Sequence, residues 1–170
     1  MNKNGFQTKV WGPPAWFFLH IIAQNYDPEK KGMKEGYFLF FKHLKDVLPC
    51  GACRENYSRI ISKGPLKLDM SVFESRDTLS YWAFRLHNKV QEDIYKKSSC
   101  KFNKPKYNNT KKHYKEMYNF YEKFRAKCSS DNTSYGCTVP MYGIKKRVKI
   151  YIYPLDKNFK AHRSIKLIRC

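Results

Sequence analysis

The sequence predicts a mostly α-helical fold, and three observations lead to this prediction. Apolar residues recur every three or four positions along several stretches of the chain. Proline and glycine, which start and stop helices, stand between those stretches. A hydrophobic fraction of 42% with 12 Phe and 13 Tyr supports a packed interior and excludes a chain that is disordered throughout. For a length of 170 residues we expect one domain with an extension.

The first two helices are predicted before and after Asp27. Pro13 and Pro14 are typical of the first turn of a helix, where a missing N–H has no intrahelical partner, and an apolar run continues from them to Asn25. The apolar residues of the second helix, at helical spacing, are Tyr37, Phe41, Leu44 and Leu48. Pro49 ends this helix because the residue before a proline is disfavoured in helical conformation.

A third helix is predicted from the pair Cys50 and Cys53 to about Lys63, where Gly64 and Pro65 stop it. Its inward residues are Tyr57, Ile60 and Ile61. This placement brings backbone N–H groups and the positive end of the helix dipole to the two sulfur atoms. Both favour the thiolate form of cysteine.

The fourth helix is predicted to begin at a capping box formed by Ser71 and Glu74 and to run to about Lys97. Its apolar residues at helical spacing are Leu79, Trp82, Leu86, Val90 and Ile94. A fifth helix is predicted from Thr110 to Lys127. The character of the chain changes after this helix.

We divide the chain into a helical domain, residues 1–128, and a basic C-terminal extension, residues 129–170. In the extension the aliphatic residues Val148, Ile150 and Ile152 alternate with lysine and tyrosine, and this alternation predicts a short strand. The sequence leaves open whether the extension is an independent element, an arm on the helical body or partly disordered.

The two cysteines of the C-x-x-C pair, Cys50 and Cys53, are the candidate catalytic residues. Two sulfur atoms at this spacing exchange a disulfide for two electrons. A zinc site would need a second C-x-x-C or a pair of closely spaced histidines, and the sequence has neither, so we expect redox chemistry and no metal. A thioredoxin-like module is disfavoured because the pair follows a helical pattern instead of a strand.

The charge of the chain suggests a second class of function. Its formal net charge is +20, and Lys and Arg crowd residues 95–115 and the last part of the sequence. A basic protein that binds nucleic acid or is packaged in a virion, with structural cysteines, is therefore the alternative interpretation. For residues 107–121 we favour an amphipathic helix with a solvated lysine face over a base-stacking surface.

We expect no secretory signal, because the N-terminus has no apolar core segment, and no membrane span, because no apolar run is long enough. Six cysteines in a chain without an export signal favour redox chemistry over a disulfide scaffold.

Three motifs in a fixed order resemble the Erv/ALR family of FAD-linked sulfhydryl oxidases, and the short members of large DNA viruses look most similar. The first motif reads W-G-P-x-x-W-x-x-L-H from Trp11 to His20, the second is the C-x-x-C pair, and the third runs from Trp82 through His87-Asn88-x-Val90 to Lys96. The resemblance covers residues 8–125. It implies a four-helix bundle with a short fifth helix that binds FAD without a Gly-rich Rossmann loop.

The resemblance also implies which residues contact FAD: Trp11, Gly12, Trp16, His20, Tyr26, His87, Asn88, Val90 and Lys96. It implies that a substrate dithiol attacks Cys50, that Cys53 is the sulfur beside the flavin, and that oxygen is reduced to hydrogen peroxide. Two positions depart from the family. Gln91 stands where asparagine is usual, and Phe84 replaces a structural cysteine whose usual partner would lie near Cys100.

The expected partners are protein dithiols and oxygen, and dimerisation is common in the family. The resemblance to viral members implies the host cytoplasm or a virus assembly site, with packaging in the virion as a further option. Cys128 and Cys137 are open to two interpretations, a second redox pair that relays electrons or a structural loop closure.

Overall fold

The computed structural model describes residues 5–97, 109–129 and 136–142. The described elements, in chain order, are α1 (Thr8–Gln24), α2 (Met33–Val47), α3 (Gly51–Ser62), α4 (Arg76–Lys97), α5 (Lys111–Glu122), β1 (Ala126–Ser129) and β2 (Gly136–Pro140). Two short 3-10 helices, Gly64–Leu66 and Met70–Phe73, connect α3 to α4. The prediction of a mostly helical fold is confirmed.

The bundle is built from two helix pairs, α1 against α4 and α2 against α3, with the Met70–Phe73 turn closing one end. The buried apolar residues that form the core are Leu19, Ala23, Tyr26, Phe41, Leu44, Tyr57, Ile60, Ile61, Leu66, Val72, Phe73, Leu79, Trp82, Ala83 and Leu86. They come from every helix of the bundle and follow the predicted helical spacing. Ile94 departs from it, since it is exposed near the end of α4.

Three aromatic residues of the core pair their polar atoms with backbone carbonyls. The Tyr26 hydroxyl donates to Phe73 O at 2.7 Å, and the Tyr57 hydroxyl donates to Phe41 O at 2.7 Å. The Trp82 indole N–H donates to Leu66 O at 3.1 Å. Each bond ties one helix to another segment, so large aromatic side chains are buried without an unpaired polar group.

Helix α1 begins earlier than predicted. It starts at Thr8, so Pro13 and Pro14 lie inside it and not in its first turn. The Val10 N–H donates to Gln7 O at 3.0 Å, which closes a first turn ahead of the prolines. The expectation from proline statistics was wrong because contacts of the preceding segment, described below, hold this extra turn in place.

Helix α4 begins later than predicted, at Arg76. Ser71 belongs to the preceding 3-10 helix, whose cap is the Asp69 carboxylate accepting from the Ser71 N–H at 3.1 Å. The reciprocal cap lies four residues further along the chain. There the Thr78 N–H donates to Ser75 Oγ at 3.0 Å, and the Ser75 N–H donates to Thr78 Oγ1 at 2.9 Å. Two candidate capping motifs, residues 71–74 and 75–78, follow one another in this stretch, and the second one starts the helix.

Helix α5 is shorter than predicted. Thr110 caps it by accepting from the His113 N–H at 3.3 Å, but it ends at Glu122, and the chain from Ala126 is a strand. Strands β1 and β2 pair antiparallel, with Cys128 opposite Cys137. The predicted strand at residues 148–153 lies outside the described residues. Among the described helices, none combines the length and apolar character needed to cross a bilayer.

Candidate active site

Cys50 and Cys53 form a disulfide at the N-terminus of α3. Cys50 is the N-cap residue of this helix, and its Sγ accepts from the Cys53 N–H at 3.3 Å. Both cysteines are half-buried, so the disulfide remains in reach of solvent. The predicted placement at the start of a helix is confirmed, and a thiolate on Cys50 would be stabilised there by an amide and by the helix dipole.

The turn before the disulfide is fixed by several hydrogen bonds. The Cys50 N–H donates to Leu48 O at 2.8 Å, and the Arg54 guanidinium donates to the same carbonyl at 2.6 Å. The Arg54 N–H donates to Cys50 O at 3.0 Å. Arg54 therefore ties Leu48, the residue that follows α2, to the first turn of α3, and it brings a positive charge close to the cysteines.

Trp16 and His20 of α1 meet His87 of α4 in a compact aromatic and imidazole cluster. The Trp16 and His87 rings stack at 4.2 Å with an angle of 9° between their planes. His20 Nε2 and His87 Nδ1 lie 3.0 Å apart and share a hydrogen bond. The structure thus brings together three of the residues that the sequence assigned to the cofactor, although 67 positions separate the two histidines.

Both imidazoles of the cluster are neutral near pH 7. Burial lowers the pKa of His20 to about 4, and burial together with the neighbouring His20 lowers the pKa of His87 to about 3. Gln91 lies on the other side of the His87 ring, with its Nε2 at 2.8 Å from His87 Nε2. If Gln91 donates to Nε2, then His87 carries its proton on Nδ1 and donates to His20.

Tyr121 of α5 is a member of this cluster that the sequence did not assign to it. Its ring stacks on His20 with centroids 5.2 Å apart, and it also contacts Phe17. Helix α5 is held in place by Gln24, whose amide donates to Tyr118 O at 3.4 Å. The helical spacing of the α5 tyrosines was the available signal, but it did not reveal which helix they would face.

The remaining residues assigned to the cofactor by resemblance make contacts of their own outside this cluster. The Trp11 indole donates to Phe6 O at 3.2 Å, and Gly12 has open space where a Cβ would project. Tyr26 is fully buried in the core, with its hydroxyl bonded to Phe73 O.

On α4, three further residues assigned to the cofactor by resemblance follow His87 toward the end of the helix. The buried Asn88 side chain donates to Asn109 Oδ1 at 3.1 Å, and Val90 packs against the core. Lys96 is exposed and forms an ion pair with Glu92. A phosphate in this region would compete with Glu92 for the lysine.

The side chains of this cluster fit a flavin. Trp16, His87 and Tyr121 offer flat aromatic faces, and the parallel stack of Trp16 on His87 shows that one planar ring already lies against another in this cluster. The two imidazoles supply hydrogen-bonding nitrogens without charge. Within the described residues, no group of three or more histidine, cysteine or acidic side chains is arranged to hold a metal ion.

A second disulfide joins Cys128 to Cys137 across the β1–β2 pair. Both residues are exposed. Cys100 and Cys170 lie outside the described residues. The two other described cysteines therefore pair with each other. This pairing is compatible with both interpretations, a relay of electrons and a loop closure.

Comparisons with known proteins agree with these features. A model of the Erv1/Alr family matches residues 13–115. A probable FAD-linked sulfhydryl oxidase of Acanthamoeba polyphaga mimivirus is 39% identical over 82 residues, which are 47% of this chain and 55% of that protein. An FAD-linked sulfhydryl oxidase of African swine fever virus is 33% identical over 89 residues, which are 51% of this chain and 70% of that protein.

The fold is also shared with solved structures. The yeast Erv1 core superposes with a TM-score of 0.50 at 22% identity, covering 72% of this chain and 86% of that one. The FAD-binding domain of Erv1 from Saccharomyces cerevisiae gives a TM-score of 0.51 at 21% identity over 66% of this chain and 94% of that one. The chain spans just over half the length of the mimivirus relative. On the family match, which covers most of the bundle and the cysteine pair, the chain belongs to the Erv1/Alr family.

Proposed function

We propose that this chain is an FAD-dependent sulfhydryl oxidase, which converts protein dithiols to disulfides and reduces oxygen to hydrogen peroxide. The observation that carries the proposal is the Cys50–Cys53 disulfide at a helix N-terminus, in a bundle that also holds a neutral aromatic and imidazole cluster. The relatives named FAD-linked sulfhydryl oxidase support it.

The cysteine pair performs the thiol exchange. A substrate thiolate attacks Cys50 Sγ, the Cys50–Cys53 bond breaks, and Cys53 leaves as a thiolate. The second thiolate of the substrate then attacks the substrate sulfur that is bonded to Cys50. The substrate leaves as a disulfide, and Cys50 leaves as a thiolate. At this step the Cys53 N–H, 3.3 Å from Cys50 Sγ, stabilises the leaving group.

We assign the flavin contacts to the nine residues named from the sequence: Trp11, Gly12, Trp16, His20, Tyr26, His87, Asn88, Val90 and Lys96. FAD held by these residues would supply the two-electron acceptor for the reduced cysteine pair and the electron donor to oxygen. Trp16 and His87 provide stacking surface, and the neutral His20–His87 pair orients hydrogen bonds without adding positive charge. Lys96 is the candidate for a phosphate contact, after it leaves Glu92.

A homodimer is the second part of the proposal. Phe18 of α1 is 57% exposed, and Ile22, one turn further along α1, lines a depression together with Met33 and Phe40 of α2. An apolar face on two adjacent helices supports association with a second copy. Light scattering on the purified protein should give twice the chain mass, and Phe18→Glu should shift it toward one chain.

The place of action and the role of the basic extension are also proposals. We infer that the enzyme works in the host cytoplasm or at a virus assembly site, with virion packaging as an option, since its relatives include proteins of large DNA viruses. The net charge of +20 supports nucleic-acid contact through the extension, residues 129–170. Salt-sensitive binding of duplex DNA that is lost on removing this extension would support that contact.

The visible absorption spectrum and oxygen uptake test the main proposal together. Purified protein should show the flavin bands and should consume oxygen when dithiothreitol is added, with peroxide as product. A protein that stays colourless after incubation with FAD would contradict the proposal. The basic, nucleic-acid-binding interpretation would then take its place.

A further inference from the structure

The segment before α1 packs directly on the backbone of the cysteine pair. We call residues Gly5–Gln7 the strap. The Phe6 N–H donates to Pro49 O at 2.8 Å, and the Trp11 indole in the first part of α1 donates to Phe6 O at 3.2 Å. The strap is thus bonded on one side to the turn before Cys50 and on the other to the helix that carries the first cofactor motif.

Gly5 makes the closest contact in the strap. A Cβ at this position would lie 2.4 Å from Pro49 O and 3.1 Å from Cys50 Cα. Both neighbours are backbone atoms, so they have no rotamer by which to move aside. Only a residue without a side chain allows the strap to lie against the peptide that leads into Cys50.

We propose that Gly5 is a positioning residue for Cys50, holding the backbone at the N-cap of α3 so that Cys50 Sγ stays opposite the Cys53 N–H. The proposal extends the oxidase function proposed above, because the thiol exchange uses the same thiolate. Its physical claim concerns the acidity of one cysteine, which does not require flavin or turnover.

The geometry explains how a contact at Gly5 reaches the sulfur atom. Cys50 Sγ changes partner during exchange, from Cys53 to a substrate sulfur and back, while its backbone has to remain in place. The turn is held from one side by Arg54, which bonds Leu48 O, and from the other by the strap, which bonds Pro49 O. Releasing the strap frees the Pro49–Cys50 peptide and lengthens the 3.3 Å bond from the Cys53 N–H to Cys50 Sγ.

The pH dependence of alkylation at Cys50 tests the proposal. In the full-length chain carrying Cys53→Ser, which keeps the amide at that position, iodoacetamide labelling of the Cys50 peptide is followed by mass spectrometry. The midpoint of the rate against pH reports the stability of the thiolate, and the plateau reports access of the reagent. Gly5→Ala should raise the midpoint by about 0.5 pH unit or more, which is about a threefold smaller thiolate fraction at neutral pH.

Two further variants keep the test decisive. Gly36→Ala is the matched control, because a Cβ there meets nothing within 4 Å, and it should leave the midpoint unchanged. Phe6→Pro removes the N–H that bonds Pro49 O, together with a side chain that is mostly exposed, and should raise the midpoint as Gly5→Ala does. If Gly5→Ala fails to fold, this variant alone decides the test. If the strap variants fold and the midpoint is unchanged, the proposal is overturned. This holds also where the plateau alone is higher, because the plateau reports access of the reagent and not stability of the thiolate. Absence of flavin would contradict the oxidase function and leave this result readable.

Discussion

The cysteine pair and the histidine cluster treat charge in opposite ways. At the cysteines, a half-buried sulfur lies at a helix N-terminus, receives an amide hydrogen bond and has Arg54 nearby, so negative charge is favoured. At the cluster, two imidazoles are packed among aromatic rings, and burial keeps them neutral. One region is built to hold an anion during each exchange, and the other to present polar atoms without a charge.

This difference matches what each region has to do in a thiol oxidase. A thiolate is the reactive form of cysteine, so its site must lower the energy of an anion and remain open to a protein substrate. A planar cofactor instead needs flat, dry contact surface and hydrogen bonds of fixed direction. Variants that remove these properties from one region or the other should therefore change different measurable quantities.

Removing one sulfur should have the largest effect. Cys53→Ser should abolish oxygen uptake with dithiothreitol while the visible flavin spectrum persists, because no disulfide can form with Cys50 alone. The exposed pair provides the control: Cys128→Ser with Cys137→Ser should retain dithiothreitol oxidation, since a small dithiol reaches Cys50 directly. Normal turnover in Cys53→Ser would refute the assignment of the catalytic pair.

Acid should destabilise the histidine cluster by several kcal/mol. The pKa of His20 is about 4 when folded, against about 6.5 for a free imidazole, so between these values only the unfolded chain binds the proton. Stability is therefore complete above about pH 6.5 and falls by about 1.4 kcal/mol per pH unit for this residue as pH drops toward 4. His87 adds a similar loss in the same direction.

Urea unfolding followed by circular dichroism at pH 7, 6 and 5 measures this slope. His20→Asn removes one of the two titrating groups and should reduce the slope, even if the variant is less stable at pH 7. A wild-type protein equally stable at pH 7 and pH 5 would mean that the folded chain also binds these protons at pH 5, and the contrast between the two regions would fail.

Loss of the His87 ring should weaken flavin retention about tenfold, the size expected for losing one stacked ring and its hydrogen bonds. His87→Ala is compared with His43→Ala, an exposed histidine on α2 that lies outside the cluster. Flavin occupancy after dialysis is read from the visible spectrum. Equal occupancy in the two variants would remove His87 from the cofactor contacts.

Local signals in the sequence were sufficient to predict much of the bundle. Pro49 stopped α2 and the cysteines opened α3 as predicted, because proline geometry and helix capping act over a few residues. The start of α4 was misplaced because two capping motifs follow one another there: Ser71 belongs to a 3-10 helix capped by Asp69, and Ser75 caps α4. The start of α1 was missed because it depends on the strap, whose partner Pro49 is distant in sequence.

For the site, the sequence motifs named the residues but not their contacts. Trp16, His20 and His87 were assigned to the cofactor by resemblance, and the structure adds that they touch one another. Tyr121 was missed because helical spacing identifies a face of α5 without naming the helix it will meet. Backbone contacts such as that of Gly5 leave no pattern in the sequence beyond a glycine.

Gln91 should give the smallest effect, and it tests how the cluster fixes its protons. Gln91→Asn shortens the side chain that lies 2.8 Å from His87 Nε2, so one hydrogen bond worth about 1 kcal/mol should be lost. We expect flavin to be retained about three- to fivefold less well, with oxygen uptake intact under saturating FAD. The control is a double-mutant cycle: with His87→Ala already present, Gln91→Asn should change nothing further. An undiminished effect in that background would show that Gln91 acts independently of the imidazoles, and the neutral pair would then owe its proton arrangement to packing alone.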